Sequence, residues 1–247
     1  MFKLMKYEMR KTLFMKLALI AVTAIVEVIF LTGYYKDLPT RQGVSLFIMV
    51  LVALFGILFM GIQSIVALHR DMNTRQSYML FMTPNSTYGI LGAKVLENTL
   101  TTLITGALYV GLVFFDIRLL INKKGEINEV IDMLKDLLGN VSMNFEFTFA
   151  GIAGFAALML CSWVSTVTTG YLADVIASSL LKGKKGGGLI CVILFLVLTY
   201  AISELVGILP GSADANINDC IQSAYNLVIA ALCYIGTAVI MDKFLSV

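Results

Sequence analysis

Six long apolar stretches constrain this chain more than any other feature of its sequence. A helix needs about 20 consecutive apolar residues to cross the ~30 Å hydrocarbon core of a bilayer. Backbone polar groups in lipid must be satisfied within the spanning segment, which favours helices. The sequence therefore predicts an all-α integral membrane protein, a single domain over residues 1–247. Its six transmembrane helices are expected at roughly 17–35, 44–68, 95–115, 149–173, 189–209 and 221–241.

The composition supports a membrane protein and excludes two other classes. Hydrophobic residues make up 59% of the 247 residues and charged residues 14%, whereas soluble domains carry about 25% charged residues. A chain of this length cannot bury so much apolar surface in a water-exposed fold. The net charge of +2 is too small for a broad basic surface, so we expect no nucleic-acid partner.

The distribution of lysine and arginine predicts the orientation. With the N-terminus inside, twelve of the 18 basic residues fall in inner segments. The other six lie in outer segments: Lys36, Arg41, Arg118, Lys123, Lys124 and Lys135. We therefore expect a multi-pass protein of the cell membrane with both termini in the cytoplasm.

Residues 1–16 are predicted to form an N-terminal interfacial elbow helix. Phe2, Met5, Met9 and Leu13 share one narrow helical stripe, with basic residues beside it. Such a helix lies at the membrane surface with its cations near anionic headgroups. It is either a simple anchor or an element that moves with the bundle.

The inner loop between the second and third spans is long enough for a short cytoplasmic helix that ends before Pro84. The loop mixes charged residues with bulky apolar ones, which suits docking into a groove on a partner protein. Packing against the membrane surface is the alternative. The candidate docking residues are Arg70, Asp71, Arg75, Tyr78, Leu80 and Phe81.

The outer loop 116–147 is predicted to contain an extracellular amphipathic helix. Its apolar residues recur at helical spacing, and Gly139 stands where a helix would end. The opposite face carries Glu129, Asp132 and Asp136. This helix either rests on the outer leaflet or caps the bundle, or its acidic face meets a cationic cargo or partner.

Sequence motifs of catalysis are missing. The single histidine, His69, falls in the inner loop and is expected to be solvated. The chain has no HExxH, GxSxG or Walker A sequence. We therefore expect no catalytic residues, no metal site and no enzymatic activity. No pair of intramembrane carboxylates is evident either.

Three polar residues within the predicted spans are candidates for a translocation path: Glu27, Gln63 and Glu204. An ionised carboxylate at mid-bilayer costs at least ~2.5–3.5 kcal/mol, so it should face the protein interior or a wet cavity, or be protonated. Glu27 either lines a cargo path, pairs across a subunit interface, or makes a satisfied hydrogen bond between helices.

The chain resembles the permease subunits of ABC-2-type transporters. The resemblance rests on the basic start Met5-Lys-Tyr-Glu-Met-Arg-Lys11, the six spans, and the motif of the first inner loop. In that family the loop has an acidic residue, a helix ending near Pro-x-Ser, and Gly-x-Lys at the third span. Asp71, Pro84, Ser86, Gly92 and Lys94 match this pattern.

The resemblance implies a type V exporter in which two permease chains, identical or different, form a dimer above two ATP-binding subunits. The first inner loop would be the coupling helix. ATP and Mg would be bound by the partner ATPase, with no cofactor in this chain. Small bacterial permeases of this type, in Gram-positive species, are similar to exporters of amphipathic or antimicrobial peptides. Lipid, hydrophobic antibiotic or sodium are alternative cargoes.

Two other functions are compatible with the residues. One is an ion-coupled secondary transporter in which Glu27 and Glu204 carry the ion. The other is a membrane scaffold or sensor subunit that moves no cargo. Co-purification of an ATPase, transport driven by an ion gradient, or no transport with any partner distinguishes the three.

Overall fold

A computed structural model describes residues 2–36, 38–73, 86–124, 149–181, 187–208, 210 and 214–245. These residues form six helices. The helices are α1 (Phe2–Tyr35), α2 (Pro39–Asn73), α3 (Thr87–Lys124), α4 (Phe149–Leu181), α5 (Gly187–Ile208) and α6 (Ala215–Leu245). All six are long and apolar enough to cross a membrane. The prediction of a six-helix transmembrane fold is confirmed.

Most of the helices are longer than the apolar stretches that predicted them. α3 has 38 residues, whereas its predicted span covered only 95–115. α1 has 34 residues and runs from Phe2 without a break, so residues 2–16 continue the first span rather than forming a separate helix. Their predicted position at the membrane surface stays a prediction.

Helix ends follow local sequence signals. Ser86 begins α3, because its Oγ accepts a hydrogen bond from the Gly89 N–H (3.2 Å) and its carbonyl accepts one from the Ile90 N–H (3.1 Å). The last turn of α1 lies close to the start of α2 at Gly33. The Gly33 carbonyl accepts hydrogen bonds from the Leu38 N–H (3.0 Å) and the Gln42 amide (3.2 Å). An added Cβ at Gly33 would lie only 3.1 Å from the Arg41 Cβ, so glycine allows this approach without displacing its neighbour.

The chain divides into two compact units. Unit 1 contains residues 1–8, 61–99 and 145–247, and unit 2 contains residues 9–60 and 100–144. In unit 1, α4 packs against both α5 and α6. The core of unit 1 combines aliphatic residues of α2, α3, α4 and α6 around Tyr171, and α5 buries no residue. The core of unit 2 is smaller, with Val26, Met49 and Tyr109 at its centre.

Candidate functional site

A buried ion cluster links three helices in unit 1. The Lys94 ammonium donates hydrogen bonds to the Glu8 carboxylate (2.8 Å) and the Asp71 carboxylate (2.6 Å). The Lys94 side chain is only 2% exposed, and both acids are buried. A charge withdrawn from solvent is tolerated only when it is paired and hydrogen-bonded, and these two short bonds meet that requirement.

The cluster lies at the two ends of the loop between α2 and α3. Asp71 is in the last turn of α2, and Lys94 is in the second turn of α3. Their ion pair therefore joins the residues on either side of 74–85. Glu8, in the first turns of α1, adds the N-terminal segment to the same cluster. The sequence did not indicate Glu8 as a member of this cluster. The pairing of Asp71 with Lys94 was indicated only by their opposite charges on either side of one loop.

The predicted docking residues are only partly described. Arg70 is exposed near the end of α2, and its neighbour Asp71 is buried in the ion cluster. Arg75, Tyr78, Leu80 and Phe81 lie outside the described residues. The acidic residues of the predicted outer helix, Glu129, Asp132 and Asp136, also lie outside them.

His69 corrects the expectation of a solvated loop residue. It lies within α2, and its Nδ1 is 2.6 Å from an oxygen of Asp174 in α4. Asp174 is almost completely buried. The histidine therefore provides a buried carboxylate with a polar partner, and it joins α2 to α4.

Glu27 has a partner that the sequence did not indicate. Its carboxyl group lies within hydrogen-bonding reach of Asp116 in α3, and both residues belong to unit 2. No such pair was evident from the sequence, because the predicted third span ended at residue 115, one residue before Asp116. Among the alternatives for Glu27, this contact fits a hydrogen bond between helices of one chain.

The other two path candidates are not part of this pair. Gln63 is half-buried in α2, and Glu204 is exposed on α5. Both belong to unit 1, whereas Glu27 belongs to unit 2. Glu97, which lies inside the predicted third span, is buried in α3 and was not singled out from the sequence.

A polar cavity lies between α4, α5 and α6 in unit 1. Its volume is about 260 Å³. The Thr166 hydroxyl donates to the Ser162 carbonyl (2.9 Å) and the Thr169 hydroxyl to the Ser165 carbonyl (2.8 Å), so both oxygens keep lone pairs for a further donor. The cavity can therefore accept hydrogen bonds from water or a ligand. Its polar lining residues are Ser162, Ser165, Thr166, Thr169, Thr199, Ser203 and Asn226.

Comparison with known proteins gives no relative. No protein-family model, no curated protein and no solved structure matches this chain.

Proposed function

We propose that this chain is the transmembrane permease subunit of an ATP-driven ABC exporter, a single permease domain over residues 1–247. It works in the cell membrane with both termini in the cytoplasm. It forms a homodimer or heterodimer with a second permease chain, and ATP-binding subunits dock on the loop between α2 and α3. The chain binds no nucleotide itself, and ATP with Mg is held by the partner.

The observation that carries this proposal is the ion pair between Asp71 and Lys94, to which Glu8 also bonds. It ties the end of α2 to the start of α3 on both sides of the loop that resembles a coupling helix. A force applied to that loop therefore acts on two apolar helices together. Buried ion pairs contribute little net stability but fix relative positions, which suits a mechanical joint.

Closure of the ATPases on nucleotide would switch the permease between inward-open and outward-facing or collapsed states by rigid-body motion. The energy for the switch must come from the difference in nucleotide affinity between those states. The chain needs no catalytic group of its own for this mechanism.

The proposed cargo is an amphipathic or antimicrobial peptide. Such a peptide carries both apolar side chains and hydrogen-bond donors. The cavity between α4, α5 and α6 combines the hydroxyl groups of Thr166 and Ser203 with the apolar side chains of Ile202 and Val206, so both kinds of group find partners there. Lipid, hydrophobic antibiotic and sodium are the competing cargoes.

Affinity purification of the tagged chain at native expression tests the partnership. We expect an ATP-binding subunit to co-purify, together with any second permease. Isolation of the chain without an ATPase, combined with transport driven by an ion gradient, would instead support a secondary transporter. Reconstitution that moves no cargo with any partner would support the scaffold or sensor function.

Loop substitutions test the coupling role. In a chain carrying Tyr78→Ala and Phe81→Ala, we expect ATP-coupled export to be lost while membrane insertion persists, because the loop loses its apolar anchors for the motor. The matched control removes two exposed aromatic side chains outside the loop, Tyr35→Ala and Phe114→Ala. Retention of full export by the loop variant contradicts the proposal.

A further inference from the structure

Two acidic side chains from different helices meet within the apolar part of unit 2. Glu27 is in α1 and Asp116 is in α3, and their carboxyl groups lie within hydrogen-bonding reach. Asp116 is 0% exposed. Among the described residues, no N–H or O–H group donates a hydrogen bond to any of the four carboxyl oxygens.

This geometry requires a hydrogen that the side chains do not carry when ionised. A carboxylate only accepts hydrogen bonds, so two carboxyl groups bond to each other only when one of them is protonated. Two ionised carboxylates in contact would repel each other, and each would also lose its hydration. A proton between the two groups removes one charge and supplies the donor that both lack.

The residues next to the two acids along their helices are apolar. Val26 precedes Glu27 in α1 and Leu112 lies one turn before Asp116 in α3, and both belong to an apolar cluster with Met49, Val52 and Ala53 of α2. These five side chains cannot neutralise a charge.

The nearest hydroxyl groups along the two helices already have a partner. Thr23 lies one turn before Glu27, and its hydroxyl donates to the Leu19 carbonyl (2.9 Å) and accepts from the Tyr109 hydroxyl (3.0 Å). Each of the two acids is the hydrogen-bonding partner of the other.

We infer that Glu27 and Asp116 form a proton-binding site, which holds one proton between the two carboxyl groups in this conformation. Loss of the proton leaves two adjacent anions on α1 and α3, which must then separate or take up water or a cation. Proton binding at this site therefore stabilises the contact between the two helices. The inference does not depend on the proposed ATP-driven export, since it concerns the chain itself.

Infrared spectroscopy of the full chain in lipid nanodiscs tests this site, because a protonated carboxyl group absorbs apart from an ionised one. At neutral pH we expect the wild-type chain to show a protonated-carboxyl component. That component should be lost in Glu27→Gln and in Asp116→Asn, because the introduced amide donates the hydrogen bond in place of the proton. Glu204→Gln is the control, since it removes an exposed carboxyl group from α5, and it should keep the component.

Three results overturn the proposal. One is a wild-type infrared spectrum with no protonated-carboxyl component. This measurement does not depend on whether a variant folds. Another is a component that survives in both Glu27→Gln and Asp116→Asn. Loss of the wild-type component on adding sodium chloride at constant pH would also reject a proton site, and would assign the pair to a monovalent cation.

Discussion

Lys94 is a buried cation whose acid partners come from separate helices, α1 and α2. Removing it leaves the carboxylates of Glu8 and Asp71 without the ammonium that they share. We expect Lys94→Met to lower the free energy of unfolding by about 3–5 kcal/mol, as when one partner of a buried ion pair is deleted. Denaturant unfolding of the purified chain in detergent measures this change.

Three further variants separate charge from packing at this position. Lys94→Arg keeps the charge and should lose less stability. The triple change Glu8→Gln, Asp71→Asn and Lys94→Met removes all three charges and should recover part of the loss. Lys6→Met removes an exposed lysine from α1 and should stay within about 0.5 kcal/mol of the wild type. A Lys94→Met chain as stable as the wild type would show that the cluster does not hold the helices.

The residues missed by sequence reasoning share a physical cause. Asp116 and Asp174 each fall one residue beyond a predicted span, because these two apolar runs stop at an acid. The fate of such an acid depends on the helix that packs against it. Glu27 partners a residue of α3, and His69 partners a residue 105 positions away. Hydropathy along one segment carries no information about a partner so distant in the chain.

At the scale of the element, α2 and α4 approach closely at Gly61. An added Cβ there would lie 2.8 Å from Cζ2 of Trp163. The indole ring is held in place because its Nε1–H donates to Asn98 (3.0 Å). We therefore expect Gly61→Ala to lower the free energy of unfolding by about 1–3 kcal/mol through overpacking, as measured by the unfolding midpoint in denaturant.

Gly106 provides the matched control for this prediction. It lies in α3, and an added Cβ there would meet no atom within 4 Å. Gly106→Ala should be neutral or stabilising by about 0.4–1 kcal/mol, because alanine restricts the unfolded chain more than glycine does. If both substitutions had the same effect, close packing at Gly61 would not be the cause.

Sequence patterns predicted the number of helices well and their lengths less well. The six apolar runs gave six helices because each run must satisfy its backbone within lipid. The helices extend further where polar residues find partners, as at Asp71 in α2 and Lys94 in α3. The ion cluster itself was only partly predictable, since Asp71 and Lys94 match the loop pattern of the resemblance, whereas nothing in the sequence distinguished Glu8 from the other charged residues of the N-terminal segment.

At the scale of the whole molecule, Cys220 reports the orientation in the membrane. It is an exposed cysteine near the start of α6, whereas Cys161, Cys191 and Cys233 are at least half-buried. The predicted orientation, with both termini in the cytoplasm, would place Cys220 outside the cell. We expect a membrane-impermeant maleimide to label it in intact cells, with a signal that Cys220→Ser abolishes.

A cysteine at the opposite end of the helices provides the complementary labelling experiment. Ser86 is exposed at the start of α3, next to the loop between α2 and α3. In a Cys220→Ser chain, Ser86→Cys should be labelled only after the cells are permeabilised. The reverse labelling pattern for the two positions would invert the orientation and place the proposed ATPase-docking loop outside the cell.

α5 buries no residue within this chain. Exchanging one of its exposed side chains, such as Tyr200 or Leu196, therefore removes little that this chain alone uses for its folding. A defect that follows such an exchange would indicate a lost contact between α5 and another molecule in the cell membrane. Substitutions along α5 would therefore map which of its residues contact lipid or another protein in the membrane.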